Sequence, residues 1–113
     1  MDAAGSLADL IALSAEIEHA AVIDETGVVL AATGTSSVGE RLARAAAELL
    51  DAAPTASADI AHVEVGLAAG SVFAVRDGGR IAVATTRPEP ASALVLHDLR
   101  TLLQRTKAEA DGA

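Results

Sequence analysis

The tripeptide Asp77-Gly78-Gly79 stands between two runs, Ser71–Arg76 and Arg80–Thr85, built from Val, Ala, Ile, Phe, Thr and Ser with an Arg at one end. Runs of that kind read as strands, and Asp-Gly between them is a strong short-range signal for a β-hairpin. No other feature limits the fold as sharply. It places an antiparallel pair in the C-terminal half and asks the rest of the chain to supply what covers it.

A second pair of apolar runs lies upstream. Ala20–Asp24 and Val28–Thr33 are separated by Glu25-Thr26-Gly27, short enough for a hairpin, with Gly27 free to take a positive φ. Both runs are apolar at successive positions, so cover is expected on both faces of the sheet. A fifth strand is expected over Ile60–Gly66, where Val63 and Val65 alternate with His62 and Glu64. The short turn Leu67–Gly70 leads from it into the C-terminal hairpin.

Three helices complete the pattern. Leu7, Leu10, Ile11 and Ile17 recur at helical spacing and predict a helix over Leu7–Glu18, with Ser6 as N-cap and Asp9 three residues on. The loop Gly34–Ser37 opens a helix over Val38–Ala52, where Ser37 and Glu40 match a capping box. Its stripe is Val38, Leu42, Ala45, Leu49 and Ala52 or Ala53, widened by Ala43, Ala46, Ala47 and Leu50. So small an apolar surface lets the helix approach its neighbours closely. Pro54 ends it, and Ala53–Asp59 reads as a loop. After Pro88 and Pro90, the latter suited to a first helical turn, Ala91, Leu94, Val95, Leu99, Leu102 and Leu103 predict a last helix over Ala91–Lys107. A frayed tail is expected from Ala108 to Ala113. The order is αββαβββα, an α/β (α+β) domain with a five-stranded antiparallel sheet and helices against its faces.

Size and composition fit one such domain. The chain has 113 residues, 51% of them hydrophobic, enough for one buried core, and 21% charged. The whole span 1–113 reads as a single domain, ordered from about residue 6 to 107. The apolar content is Ala, Val, Leu and Ile, with Phe73 as the one aromatic residue and neither Trp nor Tyr. Small-molecule pockets and single-stranded nucleic-acid sites are commonly lined with aromatics, so neither function is favoured. Sixteen acidic against eight basic residues give a net charge of −8. That balance disfavours DNA, RNA and anionic membrane surfaces. It tolerates a basic protein surface. Without cysteine there is no disulfide framework, thiolate site or cysteine nucleophile. The first residues lack a signal-peptide pattern, and no run of about 18 apolar residues occurs. The expected address is the cytoplasm.

Few residues are spaced for chemistry. Gly34-Thr35-Ser36-Ser37-Val38-Gly39-Glu40-Arg41 follows a strand and opens a helix with the glycine spacing of a phosphate-binding loop. Where that motif needs Lys and then Ser or Thr, this chain has Glu40 and Arg41, and the Glu40 carboxylate would repel a phosphate. The stretch is read as a Ser-capped helix start. His19, His62 and His97 show no short ligand spacing. Glu16/Glu18 and Asp24/Glu25 sit on a helix and at a turn, which suits solvated charge better than acid–base work. Ser71 has no spaced base. The expectation is therefore a non-enzymatic protein with no catalytic residue, metal or cofactor. On the second helix, Arg41 and Arg44 lie on the polar side with Glu48 and Asp51. Glu40 and Arg44 form an i, i+4 pair. Such a face is either solvated or a protein-binding surface, where Arg is enriched.

The αββαβββα order, the stretch Ala20-Ala21-Val22-Ile23-Asp24-Glu25-Thr26-Gly27-Val28-Val29-Leu30-Ala31 and the strand Arg80–Thr85 before an amphipathic last helix resemble the Roadblock/LC7 family. That family includes the bacterial gliding-protein B type and the dynein light-chain type. The resemblance spans about Leu7 to Lys107, and Asp-x-x-Gly between two apolar strands is its most recognisable short feature. Two departures are Pro88-Glu89-Pro90, where a Gly- or Asn-containing turn is expected, and the Ala-rich second helix. The resemblance implies a homodimer whose third strands pair edge to edge, with both second helices on one face. It also implies that this face engages a Ras-like small GTPase, as scaffold or regulator of nucleotide hydrolysis in signalling.

Two sets of residues follow as site expectations. His62, Val63, Glu64 and Val65 form the dimer interface, with the two-fold axis near Val63, so that His62 faces Glu64 of the second copy. Arg41, Arg44, Ala47 and Glu48 form the partner-binding face, with no arginine acting as a finger in hydrolysis. The competing readings are a structural adaptor of a larger complex without a GTPase, and a small-ligand sensor.

Overall fold

The computed structural model describes residues 3–24, 26–52 and 60–112. The elements are α1 (Ala3–Leu13), β1 (Ile17–Asp24), β2 (Val29–Ala32), α2 (Ser36–Ala52), β3 (Ile60–Leu67), β4 (Gly70–Asp77), β5 (Arg80–Thr86) and α3 (Ser92–Gly112). This is the order and the α+β class the sequence predicts. All strand pairings are antiparallel, and the sheet order is β2-β1-β5-β4-β3. β2 and β3 are therefore its two edges. The expected loop Ala53–Asp59 lies outside the described residues, as does Glu25 of the β1–β2 turn.

Strand periodicity divides the apolar runs between two cores. Ala20 and Val22 of β1, Phe73 and Val75 of β4, and Ala82 and Ala84 of β5 face one side. There they meet Leu7 of α1 and Val95, Leu99, Leu102 and Leu103 of α3. The alternate residues Ala21, Ile23, Ala74 and Val83 face the other side and meet Leu42, Ala43 and Ala46 of α2. Helices thus cover both faces, two on one and one on the other. Phe73, fully buried at the centre of the α1/α3 side, fills that core with the chain's one large ring.

The small residues of α2 set how it sits. A Cβ built at Gly39 would stand 2.8 Å from the Ala32 Cβ of β2. The helix therefore rests on the sheet at a distance only glycine allows. Ala43 and Ala46 continue that contact, whereas Ala47 is exposed. The side chains of Leu49, Leu50, Asp51 and Ala52 lie outside the described residues.

Several boundaries differ from expectation, each for a local reason. The first helix ends at Leu13, five residues short of the expected Glu18. Ser14 Oγ accepts hydrogen bonds from the Glu16 and Ile17 amides (3.3 and 3.4 Å), turning the chain into β1, where Ile17 and His19 pair with Thr86 and Thr85. A sheet ladder here outweighs the helical periodicity of Ile17. Ser6 lies buried inside α1 and is not its N-cap. The second helix begins at Ser36, before the expected Val38, because the Thr35 carbonyl accepts from the Val38 and Gly39 amides (3.1 and 3.3 Å). Thr35 is then the capping position, and its Oγ1 bonds Ser37 Oγ at 2.9 Å. The Ser37/Glu40 capping box is replaced by this arrangement. The last helix begins at Ser92 and runs to Gly112, past the expected Lys107. Its Leu94, placed in the core stripe by periodicity, is 51% exposed.

Candidate protein-binding surfaces

The β3 edge is the first surface. The two-residue turn Ala68-Ala69 joins Leu67 to its β4 partner Gly70. In a two-residue hairpin the closing pair exchanges hydrogen bonds, and bonded pairs then alternate. Val65 and Val63, opposite Val72 and Ala74, therefore turn their backbone groups toward β4. The amides and carbonyls of His62, Glu64 and Gly66 point outward from this edge, which no other strand among the described residues pairs. An edge of this kind is a template for another strand unless it is covered.

The side chains of that edge divide by face. Val63 packs against the α2 core. His62 and Glu64 are exposed and are held from the α3 side. Arg100 Nη2 donates to His62 Nδ1 at 3.1 Å, and Ser92 Oγ donates to Glu64 Oε2 at 2.7 Å. A guanidinium can only donate, so His62 Nδ1 is the acceptor and its ring carries the proton on Nε2. Sequence reasoning found His62 and Glu64 but missed Arg100 and Ser92. Their partners lie 38 and 28 residues away, and nothing short of the register joins them.

The outer face of α2 is the second surface. Arg41, Arg44, Ala47 and Glu48 are all exposed on the side away from Leu42, Ala43 and Ala46. The structure thus presents the expected set together. Beside the N-terminal half of α2 a cleft of about 450 Å³ opens onto the sheet, with His19, Val38, Arg41, Ala45, Val72 and Thr85 around it. On the opposite face, a cleft of about 330 Å³ lies between α1 and α3, flanked by the exposed Leu13 and Leu94.

The phosphate-loop-like stretch forms the entry to α2, with Gly34 at φ 73° and Glu40 exposed on the helix. His19 belongs to β1 rather than a helix end, His62 to β3 and His97 to α3. Among the described residues no group of three or more His, Asp or Glu side chains could hold a metal ion. No helix there is long and apolar enough to cross a membrane.

The β1–β2 turn shows why Asp-x-x-Gly is a useful signature. Asp24 Oδ1 accepts from Thr26 Oγ1 (2.7 Å) and from the amides of Thr26 (2.9 Å) and Val28 (3.0 Å). The Thr26 hydroxyl, followed by the Val28 amide, holds the Asp24 carboxyl below the usual carboxylate range. Gly27 closes the turn at φ 90°, its amide donating to the Asp24 carbonyl at 3.1 Å.

Comparison with known proteins gives one kind of match. No protein-family model matches the sequence, and no curated protein does. Solved structures do. A Roadblock/LC7 domain from Streptomyces avermitilis superposes with a TM-score of 0.84 at 16% identity, covering 97% of this chain and 98% of that one. Another Roadblock/LC7 domain structure from the same organism gives 0.75 at 22% identity, covering 89% and 94%. MglB in a tetrameric arrangement gives 0.56 at 15% identity, covering 92% and 81%. The chain has the fold of Roadblock/LC7 domains.

Proposed function

We propose that this protein is a non-catalytic, dimeric adaptor or regulator that pairs with itself through β3 and binds a Ras-like small GTPase on the α2 face. The observation that carries the proposal is the β3 edge, with its outward backbone groups at His62, Glu64 and Gly66 and no covering element among the described residues. The Roadblock/LC7 fold supports it.

Charge favours one register. With the two-fold axis at Val63, His62 meets Glu64 of the second copy as a hydrogen-bonded pair, twice by symmetry. An axis at Glu64 would set that carboxylate against itself, which is destabilising. Arg100, bonded to His62, adds a guanidinium beside the place the second copy's Glu64 would occupy. The paired sheets then carry both α2 helices on one face, so the two copies of Arg41, Arg44, Ala47 and Glu48 make one larger surface. Arg is enriched at interface hot spots, and small residues such as Ala47 allow a partner's backbone to come near.

A pull-down from native lysate, run with GDP and with a non-hydrolysable GTP analogue, tests the GTPase part. Recovery of a small GTPase with the analogue alone is the expected result. Recovery of other proteins regardless of nucleotide would replace the reading with that of a structural adaptor.

A further inference from the structure

On the α2 side of the sheet, three strands place one residue each in a single cross-strand row. His19 of β1 pairs with Thr85 of β5, and Thr85 pairs with Val72 of β4. Residues next along each strand in the same direction of facing, Ala21, Val83 and Ala74, are buried under α2. The row itself is not: His19 is exposed, and Thr85 and Val72 are half-buried. α2 crosses the sheet beside the row, and the space between them is the cleft of about 450 Å³.

The chemistry of this cleft is two-sided. Its floor is aliphatic, made of Val38 and Leu42 from α2 and Val72 from the sheet. Its rim is polar: the Arg41 guanidinium, which can only donate, with the His19 imidazole and the Thr85 hydroxyl, which can donate or accept. Among the described residues no carboxylate lines it, in a chain with twice as many acidic as basic residues. Arg41 and Thr85 make no side-chain hydrogen bond or ion pair among the described residues. His19 Nδ1 lies 3.5 Å from Thr33 Oγ1, which anchors that edge of the ring. A guanidinium beside an apolar floor suits a carboxylate joined to an aliphatic group.

We infer that this cleft seats an acidic side chain and an adjoining aliphatic side chain of the protein partner, with Arg41 as the carboxylate's main donor. The inference rests on the reading of the α2 face as the partner surface, and adds what that partner must present. The cleft is open on one side and shallow, so a free small acid would bury little of itself there. A segment held in place by a docked protein starts with its ordering cost already met by the wider interface.

The test uses the full chain labelled with ¹⁵N and no GTPase, so it stands or falls apart from the GTPase reading. The probes are N-acetyl-Leu-Glu-amide, hexanoate and hexylamine, each titrated into the millimolar range. The peptide and hexanoate are expected to move the amide resonances of His19, Val72 and Thr85, while hexylamine leaves them in place. Arg41→Ala, at an exposed position, should weaken the acids roughly three- to fivefold, and Arg105→Ala on the opposite face should not. Absence of those shifts, or equal shifts with hexylamine, would overturn the inference. So would hexanoate binding a hundredfold more tightly than the peptide, since the cleft would then be a metabolite site.

Discussion

Arg100 of α3 donates a hydrogen bond to His62 of β3 across the face of the sheet, 3.1 Å from Nη2 to Nδ1. The contact ties the edge strand to a helix without closing the edge, because only the side chain of His62 is engaged. Its backbone stays turned outward. The pair therefore presents a cationic group at the rim of a strand that can still receive another.

Charge at that rim should control self-association. In the proposed dimer, Glu64→Lys would set an ammonium group in place of the carboxylate opposite His62 of the second copy, twice over. Cross-strand pairs contribute roughly 0.2–1 kcal/mol each, so the dimer dissociation constant should rise by about two- to thirtyfold. Exchanging the pair, His62→Glu with Glu64→His, should recover most of the loss. Sedimentation equilibrium reads both. Unchanged association in Glu64→Lys would place the interface elsewhere.

The Asp24 carboxyl should titrate below the ordinary value of 3.8, with the Thr26 hydroxyl as the leading cause. A depressed folded-state pKa means that the turn's stabilisation is complete above the unfolded value and is lost as pH falls through the folded one. Thr26→Val should move the Asp24 pKa back toward 3.8 in a ¹³C-carboxyl NMR titration. An Asp24 that titrates at or above that value in the unaltered protein would contradict the geometry.

Glu89 stands at φ 55°, the one non-glycine residue at positive φ among those described, between two prolines. This is where a Gly or Asn would be at ease, and it accounts for the departure at Pro88-Glu89-Pro90: the turn keeps the conformation without the usual residue. Glu89→Gly should stabilise the protein by about 0.5–1 kcal/mol after the offset from a freer unfolded chain. Glu89→Val should destabilise it. Thermal melts decide, and a lower melting temperature for Glu89→Gly would refute the reading.

Gly39 and Ala32 should behave as one contact. Gly39→Val cannot be seated without lifting α2 from β2, since its Cβ would fall 2.8 Å from that of Ala32. Overpacking of this kind costs about 1–3 kcal/mol. Ala32→Gly in the same chain should return part of it, which a double-mutant cycle measures as a coupling energy. Strict additivity would show that the two residues do not touch.

Much of the fold was legible because its signals are local. Asp77-Gly78-Gly79 and Asp24-x-x-Gly27 mark turns by backbone chemistry, and each apolar run alternates between two cores that both need filling. Ile17 misled because it is buried in the α1/α3 core from β1, and its spacing from Leu10 also fits a helix. Leu94 misled because helical spacing says which residues share a face, not whether a neighbour covers it. The edge residues His62 and Glu64 were legible from polarity and the absence of proline. Their clasps, Arg100 and Ser92, were not. The row His19–Thr85–Val72 was hidden for the same reason, since register alone brings three distant segments together.

The measurement that tests the central claim most directly is multi-angle light scattering on the full chain at tens of micromolar, with Glu64→Lys run beside it. Self-pairing through β3 predicts a mass twice the 11.3 kDa of the chain, falling toward the monomer in the variant. A strict 11.3 kDa monomer at that concentration, or a dimer indifferent to Glu64→Lys, would contradict it.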